Sequence, residues 1–399
     1  MKNISIPFLL IFIQNIVAYS QYESVRNFQK EIVKNEITAS NIFMLYKDGK
    51  VVYLNAENSN LYGDKNISNQ SYKPYKETLF PIWSMSKPIT VVGIMILLEK
   101  GLINLNDNVS KYLPEFSQIY CKGDSGKYLC KNPLKIIHLL THRSGYGYYS
   151  HKGYGYGLTS TVKYKNLSDF SKDLSKVVLE FEPGEKYYYG VNQALLGRIA
   201  EVVSNKDFYS FLSEEIFEPL EMSETKFHLT SQDRSRFQPL YINFGTIKGF
   251  TDELDELTYE ESNNAFFGGE GLISTMNDYA NFCTMLLNGG TFKGKRIISE
   301  KSIQLMTKKY SSSYPIEEFA DTRKLGFNYG FSIFVLDDPI VDGTGSTKGI
   351  YGWSGYHGTH FWIDPEKNMF GLFMTRHRQN ISNMDVQKEL RRVVYDMSK

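Results

Sequence analysis

Ile89-Thr90-Val91-Val92-Gly93-Ile94-Met95-Ile96-Leu97-Leu98 carries no charge and almost no polarity, and Glu99-Lys100-Gly101 then closes the run with a helix stop. Apolar residues on every side of a helix mean burial on every side, and a bilayer needs about 20 of them. The run therefore predicts a central core helix and not a membrane span. Near the start, apolar stretches at 42–46 and 51–54 flank Lys47-Asp48-Gly49-Lys50, whose Asp-Gly pair marks a hairpin turn. Helical periodicity recurs over 22–34, 134–140, 167–180 and 193–203, and strand patterns return at 329–335, 358–363 and 369–375, followed by a terminal helix over 384–397. Strands and helices segregate instead of alternating. That predicts an α+β fold in which an antiparallel sheet from both chain ends, residues 21–83 and 265–399, is flanked by helices, with a mainly helical domain, residues 84–264, inserted between them.

Residues 1–20 stand apart from this pattern. Lys2 gives a basic start, 4–17 is mostly apolar, and Ala18-Tyr19-Ser20 offers small residues at the two cleavage subsites, which predicts a signal peptide and a mature start at Gln21. Gln14 and Asn15 interrupt the apolar stretch and argue against a stable membrane anchor, so the expected product is exported, periplasmic or secreted. The 399 residues are 42% hydrophobic and 15% aromatic, enough for a large core, and 45 Lys+Arg against 44 Asp+Glu leave a net charge of +1. Nothing in that balance points to nucleic acid. Export permits a disulfide, and Cys121 and Cys130 bracket a polar loop that a local bridge would close, whereas Cys283 lies on an apolar helical pattern and reads as a buried thiol.

Candidate chemistry begins just before the core helix, in Phe80-Pro81-Ile82-Trp83-Ser84-Met85-Ser86-Lys87-Pro88. Residues three apart on a helix share a face, with Cβ atoms about 5 to 6 Å apart, so the Lys87 amine can reach the Ser84 hydroxyl. Ser160-Thr161-Val162-Lys163 and Ser223-Glu224-Thr225-Lys226 have the same spacing but open no buried run. Gly123-Asp124-Ser125-Gly126 carries the serine of a trypsin-like site without matching His and Asp segments. His138 and His142 have the spacing of a zinc helix but lack the glutamate that such chemistry needs, so neither a metal nor a cofactor is expected.

With Val109-Ser110-Lys111-Tyr112-Leu113-Pro114, His138-Leu139-Leu140-Thr141-His142-Arg143-Ser144-Gly145, Phe181-Glu182-Pro183-Gly184, Gly269-Glu270-Gly271-Leu272 and Phe361-Trp362-Ile363-Asp364-Pro365, the chain resembles the serine beta-lactamase and penicillin-binding protein superfamily. It is most similar to the class C-like branch and, within it, to the family VIII carboxylesterases, over about residues 41–395. The resemblance implies a beta-lactamase-like fold, a nucleophilic Ser84 with Lys87 beside it, and a catalytic tyrosine after the Pro-Gly turn. That tyrosine is Tyr189, with Tyr188 one register away. Trp353-Ser354-Gly355 stands where beta-lactamases begin with a lysine, and Val191 where they carry asparagine, so the resemblance assigns these four to substrate binding. It also implies an oxyanion hole made by the backbone N–H groups of Ser84 and Tyr356, and a structural role for the His138 to His142 block.

Tyr146, Tyr148, Tyr149, Tyr154 and Tyr156, clustered among glycines, either wall the acyl pocket or form an aromatic surface loop. Acyl transfer needs a proton acceptor, a nearby cation and oxyanion donors. A lysine charge about 4 Å from a phenolate favours it by about 4 kcal/mol at an effective dielectric of 20. Lys87 and Tyr189 are thus both candidates for the base. Without a lysine at position 353, a carboxylate on the substrate loses its partner unless Arg376 or His377 supplies one. The expected function is hydrolysis of small carboxylic esters through an acyl-enzyme. A beta-lactamase, a D-amino-acid amidase or peptidase, and a non-catalytic cell-wall binding module are the alternatives.

Overall fold

The computed structural model describes residues 22–59, 74–148, 164–251, 257, 259–312, 325–379 and 385–397. The expected leader with Gln21, the tyrosines at 149, 154 and 156, and the segment 160–163 lie outside the described residues.

Helix α1 (Glu23–Lys34) buries Val25, Phe28, Gln29 and Ile32 on one face. Strands β1 (Ser40–Lys47) and β2 (Lys50–Asn58) form the expected hairpin, and its turn places Asp48 at φ 49° and Gly49 at φ 82°. The apolar run becomes α2 (Ser86–Glu99), buried at every position from Ser86 to Leu97. Helix α3 (Asn192–Ser204) packs on α2, and β3 (Leu240–Asn243) pairs with β4 (Lys248–Thr251). After α4 (Met276–Leu287) come β5 (Ser311–Ser312), β6 (Phe327–Tyr329), β7 (Phe334–Leu336), β8 (Tyr351–Ser354), β9 (His360–Asp364), β10 (Met369–Met374), β11 (His377–Gln379) and α5 (Val386–Asp396).

Among the described residues, eight strands make one antiparallel sheet in the order β5-β6-β7-β8-β9-β10-β1-β2. The two ends of the chain meet where β1 pairs with β10, Ile42 opposite Met374 and Phe43 opposite Phe373. Side chains alternate across a strand, so the contacts of β9 show which helix covers which face. Tyr279 of α4 meets Phe361, with ring centroids 5.4 Å apart, whereas the Tyr395 hydroxyl of α5 donates to Asp364 at 2.6 Å. The sheet therefore lies between α4 on one side and α5 on the other. Strand β11 leaves the main sheet and runs parallel to β3. Among the described residues, no helix is long and apolar enough to cross a membrane.

Two sequence expectations change. The single strand expected over 329–335 is two strands, β6 and β7, because Ser332 takes a left-handed φ of 49° and its hydroxyl donates to the Leu140 carbonyl at 3.1 Å. The helix expected over 167–180 covers only Leu167–Leu174. Beyond it the backbone of Leu179 is drawn into hydrogen bonds with Tyr120 and Lys122, in the hairpin that Cys121 and Cys130 bridge with their Cα atoms 5.1 Å apart. Cys283 is a buried free thiol.

Candidate active site

Ser84 does not sit on α2 itself but in a single 3-10 turn, Trp83–Met85, that feeds into it. Trp83 adopts a left-handed φ of 48°, which costs a bulky residue about 1 to 3 kcal/mol and persists only where the surroundings hold it. They do so from several sides. The Trp83 ring is packed by Tyr356 and His357, at centroid distances of 5.2 and 5.1 Å, and joins a small apolar cluster with Leu79, Leu229, Tyr259 and Ile273. Ile82 N–H donates to the Leu272 carbonyl at 3.0 Å, the Leu272 N–H donates to the Ser86 hydroxyl at 3.2 Å, and the Tyr279 hydroxyl donates to the Met85 carbonyl at 2.9 Å. The turn that presents Ser84 is thereby tied to the glycine-rich segment at 268–272 and to α4.

Lys87, one turn on, is completely buried. A buried cation is costly unless it is paired, and its ammonium donates to three oxygens: Ser84 Oγ at 3.1 Å, the Tyr148 hydroxyl at 2.8 Å and the Gly269 carbonyl at 2.6 Å. It also stands 4.8 Å from the centroid of the Tyr189 ring. The Tyr189 hydroxyl donates to Ser84 Oγ at 2.7 Å, so the serine oxygen lies between the lysine and the phenol. Tyr188 instead turns its ring toward Phe181 and lies against Gly147.

His142 backs Tyr189, with ring centroids 4.7 Å apart. Burial first, and the charge of Lys87 second, push its pKa well below the usual histidine value, so the ring is neutral. A neutral imidazole accepts at one nitrogen and donates at the other. Nδ1 takes the Asn192 amide at 2.9 Å and Nε2 reaches the Ser332 hydroxyl at 3.3 Å. The second histidine of the expected structural block is thus a wedge behind the tyrosine.

The substrate-binding candidates separate. Trp353 lies 5.9 Å from the Tyr189 ring and 5.9 Å from Tyr329, inside the aromatic surroundings of the site. Ser354 does not join it: its hydroxyl is engaged by His360 Nδ1 at 2.9 Å and by Gln387 Oε1 at 2.9 Å, because neighbours on a strand point to opposite sides. Gly355 lies so close to the Ser84 turn that a Cβ there would be 2.4 Å from the Ile82 carbonyl oxygen, a space only glycine fits. Thr359 reinforces that contact through its hydroxyl, 3.3 Å from the same carbonyl. This close approach brings the Tyr356 backbone to the side of the Ser84 turn, and the Tyr356 ring is partly exposed over Trp83. Val191 is buried at the N-cap of α3. Arg376 is likewise buried and turned elsewhere, donating to the Gln238 carbonyl at 2.8 Å and covering the Phe237 ring, and the His377 backbone pairs with Tyr241.

Sequence reasoning did not anticipate the Tyr148 hydroxyl and the Gly269 carbonyl as partners of Lys87. Tyr148 was visible only as one of several loop tyrosines, and a backbone carbonyl leaves no residue-type signal.

The family profile described as Beta-lactamase matches residues 28–396. Protein Rv1367c of Mycobacterium tuberculosis is 26% identical over 333 residues, covering 77% of this chain and 79% of the relative. Esterase EstB of Burkholderia gladioli is 23% identical over 361 residues, covering 84% and 85%. Among solved structures, EstCE1, described as a hydrolase with promiscuous acyltransferase activity, superposes with a TM-score of 0.79 at 22% identity, covering 95% of this chain and all of that one. With a family match across almost its whole length and a beta-lactamase-like arrangement of sheet and helices, the chain belongs to the Beta-lactamase family.

Proposed function

We propose that the protein is an exported serine hydrolase that cleaves small carboxylic esters through an acyl-enzyme on Ser84. The observation that carries the reading is the position of Ser84 Oγ between the Lys87 ammonium, at 3.1 Å, and the Tyr189 hydroxyl, at 2.7 Å. In the first step one member of the Lys87 and Tyr189 pair, as free amine or phenolate, takes the Ser84 proton while Ser84 Oγ bonds to the carbonyl carbon; the bond to the alcohol oxygen then breaks and the pair gives that proton to the departing alkoxide. In the second step water repeats the attack, releasing the carboxylic acid and restoring the serine proton. The N–H groups of Ser84 and Tyr356 are the proposed oxyanion donors, and the amino-terminal end of α2 adds a favourable dipole.

Preference for esters over beta-lactams or D-alanyl peptides rests on Trp353. An indole offers one N–H and no charge, so an anionic substrate gains no ion pair at that position. The name of the EstB relative supports the same reading. Export is supported by the apolar leader pattern and by the Cys121–Cys130 bridge, since such bridges persist in oxidising compartments.

One experiment tests the catalytic part of the reading. The purified protein is treated with a fluorophosphonate probe, and turnover is measured on nitrophenyl esters, a chromogenic cephalosporin and D-alanyl peptides. A single adduct mapped to Ser84 with ester turnover exceeding the other two is the expected result. An adduct elsewhere, or a cephalosporin cleaved with kcat/KM above every ester, removes the assignment.

A further inference from the structure

The ring surface that begins at Tyr189 does not stop there. Trp353 lies 5.9 Å from Tyr189, Tyr329 meets Trp353 edge to face at 5.9 Å, and Tyr187 stacks on Tyr329 at 4.6 Å with the planes only 16° apart. Phe334 stacks on the indole with ring centroids 6.1 Å apart. Tyr187 and Tyr329 each keep part of their surface exposed, as does Tyr189, whereas Trp353 is almost fully covered by its neighbours. Three further rings are thus linked in series to the phenol that touches the proposed nucleophile, and they come from separate segments: Tyr187, like Tyr189, precedes α3, Tyr329 ends β6 and Trp353 belongs to β8.

The chemistry of the proposed reaction says which half of an ester meets this wall. The proton removed from Ser84 has to finish on the departing alkoxide, and the Tyr189 hydroxyl is hydrogen-bonded to Ser84 Oγ. A proton is handed over only within hydrogen-bond reach, about 2.6 to 3.2 Å. Lys87 also touches Ser84 Oγ but is completely buried, whereas Tyr189 keeps part of its surface exposed, so Tyr189 is the member of the pair that a leaving oxygen reaches, and the substituent on that oxygen lies against the rings beside Tyr189. Ring faces favour another flat apolar surface in offset or edge contact, and an indole in place of a cation offers a negative charge no ion pair.

We propose that Trp353, Tyr329 and Tyr187 form the subsite for the alcohol half of the substrate and select an uncharged, planar, aryl-type alcohol. This deepens the esterase reading and rests on it. The competing view is that the Tyr187–Tyr329 stack only fastens β6 to the segment before α3, in which case its loss affects every substrate alike.

Two acetates decide between them: phenyl acetate and the acetate of a polyfluorinated alkyl alcohol of similar acidity. Both leave the same acetyl-enzyme, so the ratio of their kcat/KM values reports the alcohol half alone. The wild-type ratio is expected to favour the aryl ester by about tenfold, and Tyr187→Leu and Tyr329→Leu each to lower that ratio about three- to tenfold. Tyr187→Phe, which keeps the ring, restores it. A ratio near one in the wild type, or an unchanged ratio in both leucine variants while both rates fall, overturns the subsite. A chemistry-free arm follows indole fluorescence as phenol or cyclohexanol is added. Phenol is expected to bind more tightly, and Tyr329→Leu to erase the difference; equal binding in the wild type overturns the proposal. Were both acetates inert and Ser84 unlabelled by the fluorophosphonate, the hydrolase reading would fail, and the phenol comparison would still judge the wall.

Discussion

The two halves of the site are built differently. Ser84 and Lys87 belong to a turn and a helix buried from Ser86 to Leu97, and besides the hydroxyls of Tyr148 and Tyr189 they are held by backbone groups of the 268–272 segment and by the Tyr279 hydroxyl of α4. Tyr189 and Tyr148 instead come from irregular backbone between helices, are only part-buried, and owe their positions to packing against His142, Trp353 and each other. Groups on packed helices hold their geometry more tightly than groups on loops. In the proposed mechanism this difference is a division of labour: the helix side fixes the proposed nucleophile and the lysine beside it, while the loop side tunes proton transfer and the shape of the substrate that fits.

The largest effects test whether the two halves act as one unit. Ser84→Ala is expected to abolish fluorophosphonate labelling with the fold intact by circular dichroism. Lys87→Ala and Tyr189→Phe are each expected to lower kcat by about a thousandfold or more, and the double variant to be little worse than either, since groups acting together lose their effect together. Multiplicative losses in the double variant would break the picture of a single unit and leave two independent contributions.

Next in size is the substrate side. Trp353→Lys restores a cation beside Tyr189 and is expected to raise kcat/KM for a cephalosporin relative to a neutral ester by about ten- to a hundredfold, the worth of a charge-assisted contact of about 1.5 to 3 kcal/mol. The measurement is the ratio of the two substrates in wild type and variant. No change in that ratio would mean that the carboxylate of an anionic substrate does not reach position 353.

How legible each half was in the sequence follows the same division. The run after Lys87 announces a buried helix by composition alone, and the serine-lysine spacing gains meaning from standing at its start, so the rigid half is written in local pattern. The tyrosine half is not. Tyr148 reaches Lys87 across 61 positions, from a glycine- and tyrosine-rich stretch whose residue types leave the fold open. The Gly269 carbonyl is backbone and has no side-chain signature. Ser354 shows the limit of a motif: its place beside Trp353 is readable, but the pleat sends its hydroxyl to His360 and Gln387. The break between β6 and β7 was hidden for a similar reason, because Ser332 serves the neutral His142 and the Leu140 carbonyl instead of the strand that its apolar neighbours suggest.

His142 offers a test of the loop half through pH. Its imidazole is held neutral by burial and by Lys87, while in the unfolded chain it takes up a proton below about pH 6.5. The unfolded state thus binds more protons there, so the stability that His142 contributes is complete above about pH 6.5 and is lost as pH falls, by about 1.4 kcal/mol per pH unit. Urea unfolding at a series of pH values should show this slope, and His142→Asn should reduce it by one proton. An unchanged slope would place the titration on other groups.

The smallest expected effect concerns the bridge that fastens the approach to Tyr189. Cys121 and Cys130 are nine positions apart, and their hairpin holds the segment leading to the tyrosine: Leu179 exchanges backbone hydrogen bonds with Tyr120 and Lys122, and the Glu182 carboxylate accepts from the N–H groups of Lys131 and Asn132 at 2.9 to 3.0 Å. Chain-entropy scaling for so short a loop gives about 2.5 kcal/mol, which for a protein of this size lowers Tm by about 3 to 4 °C. Replacing both cysteines by serine should therefore cost only a few degrees. The sharper reading comes from hydrogen exchange. If the halves are held independently, protection falls in the 179–190 segment and stays constant along α2, and turnover drops a few-fold while the rate of Ser84 labelling stays close to that of the wild type. Equal loss of protection in both regions would show that the rigid half depends on the bridge as much as the loop half does, and the distinction between them would collapse.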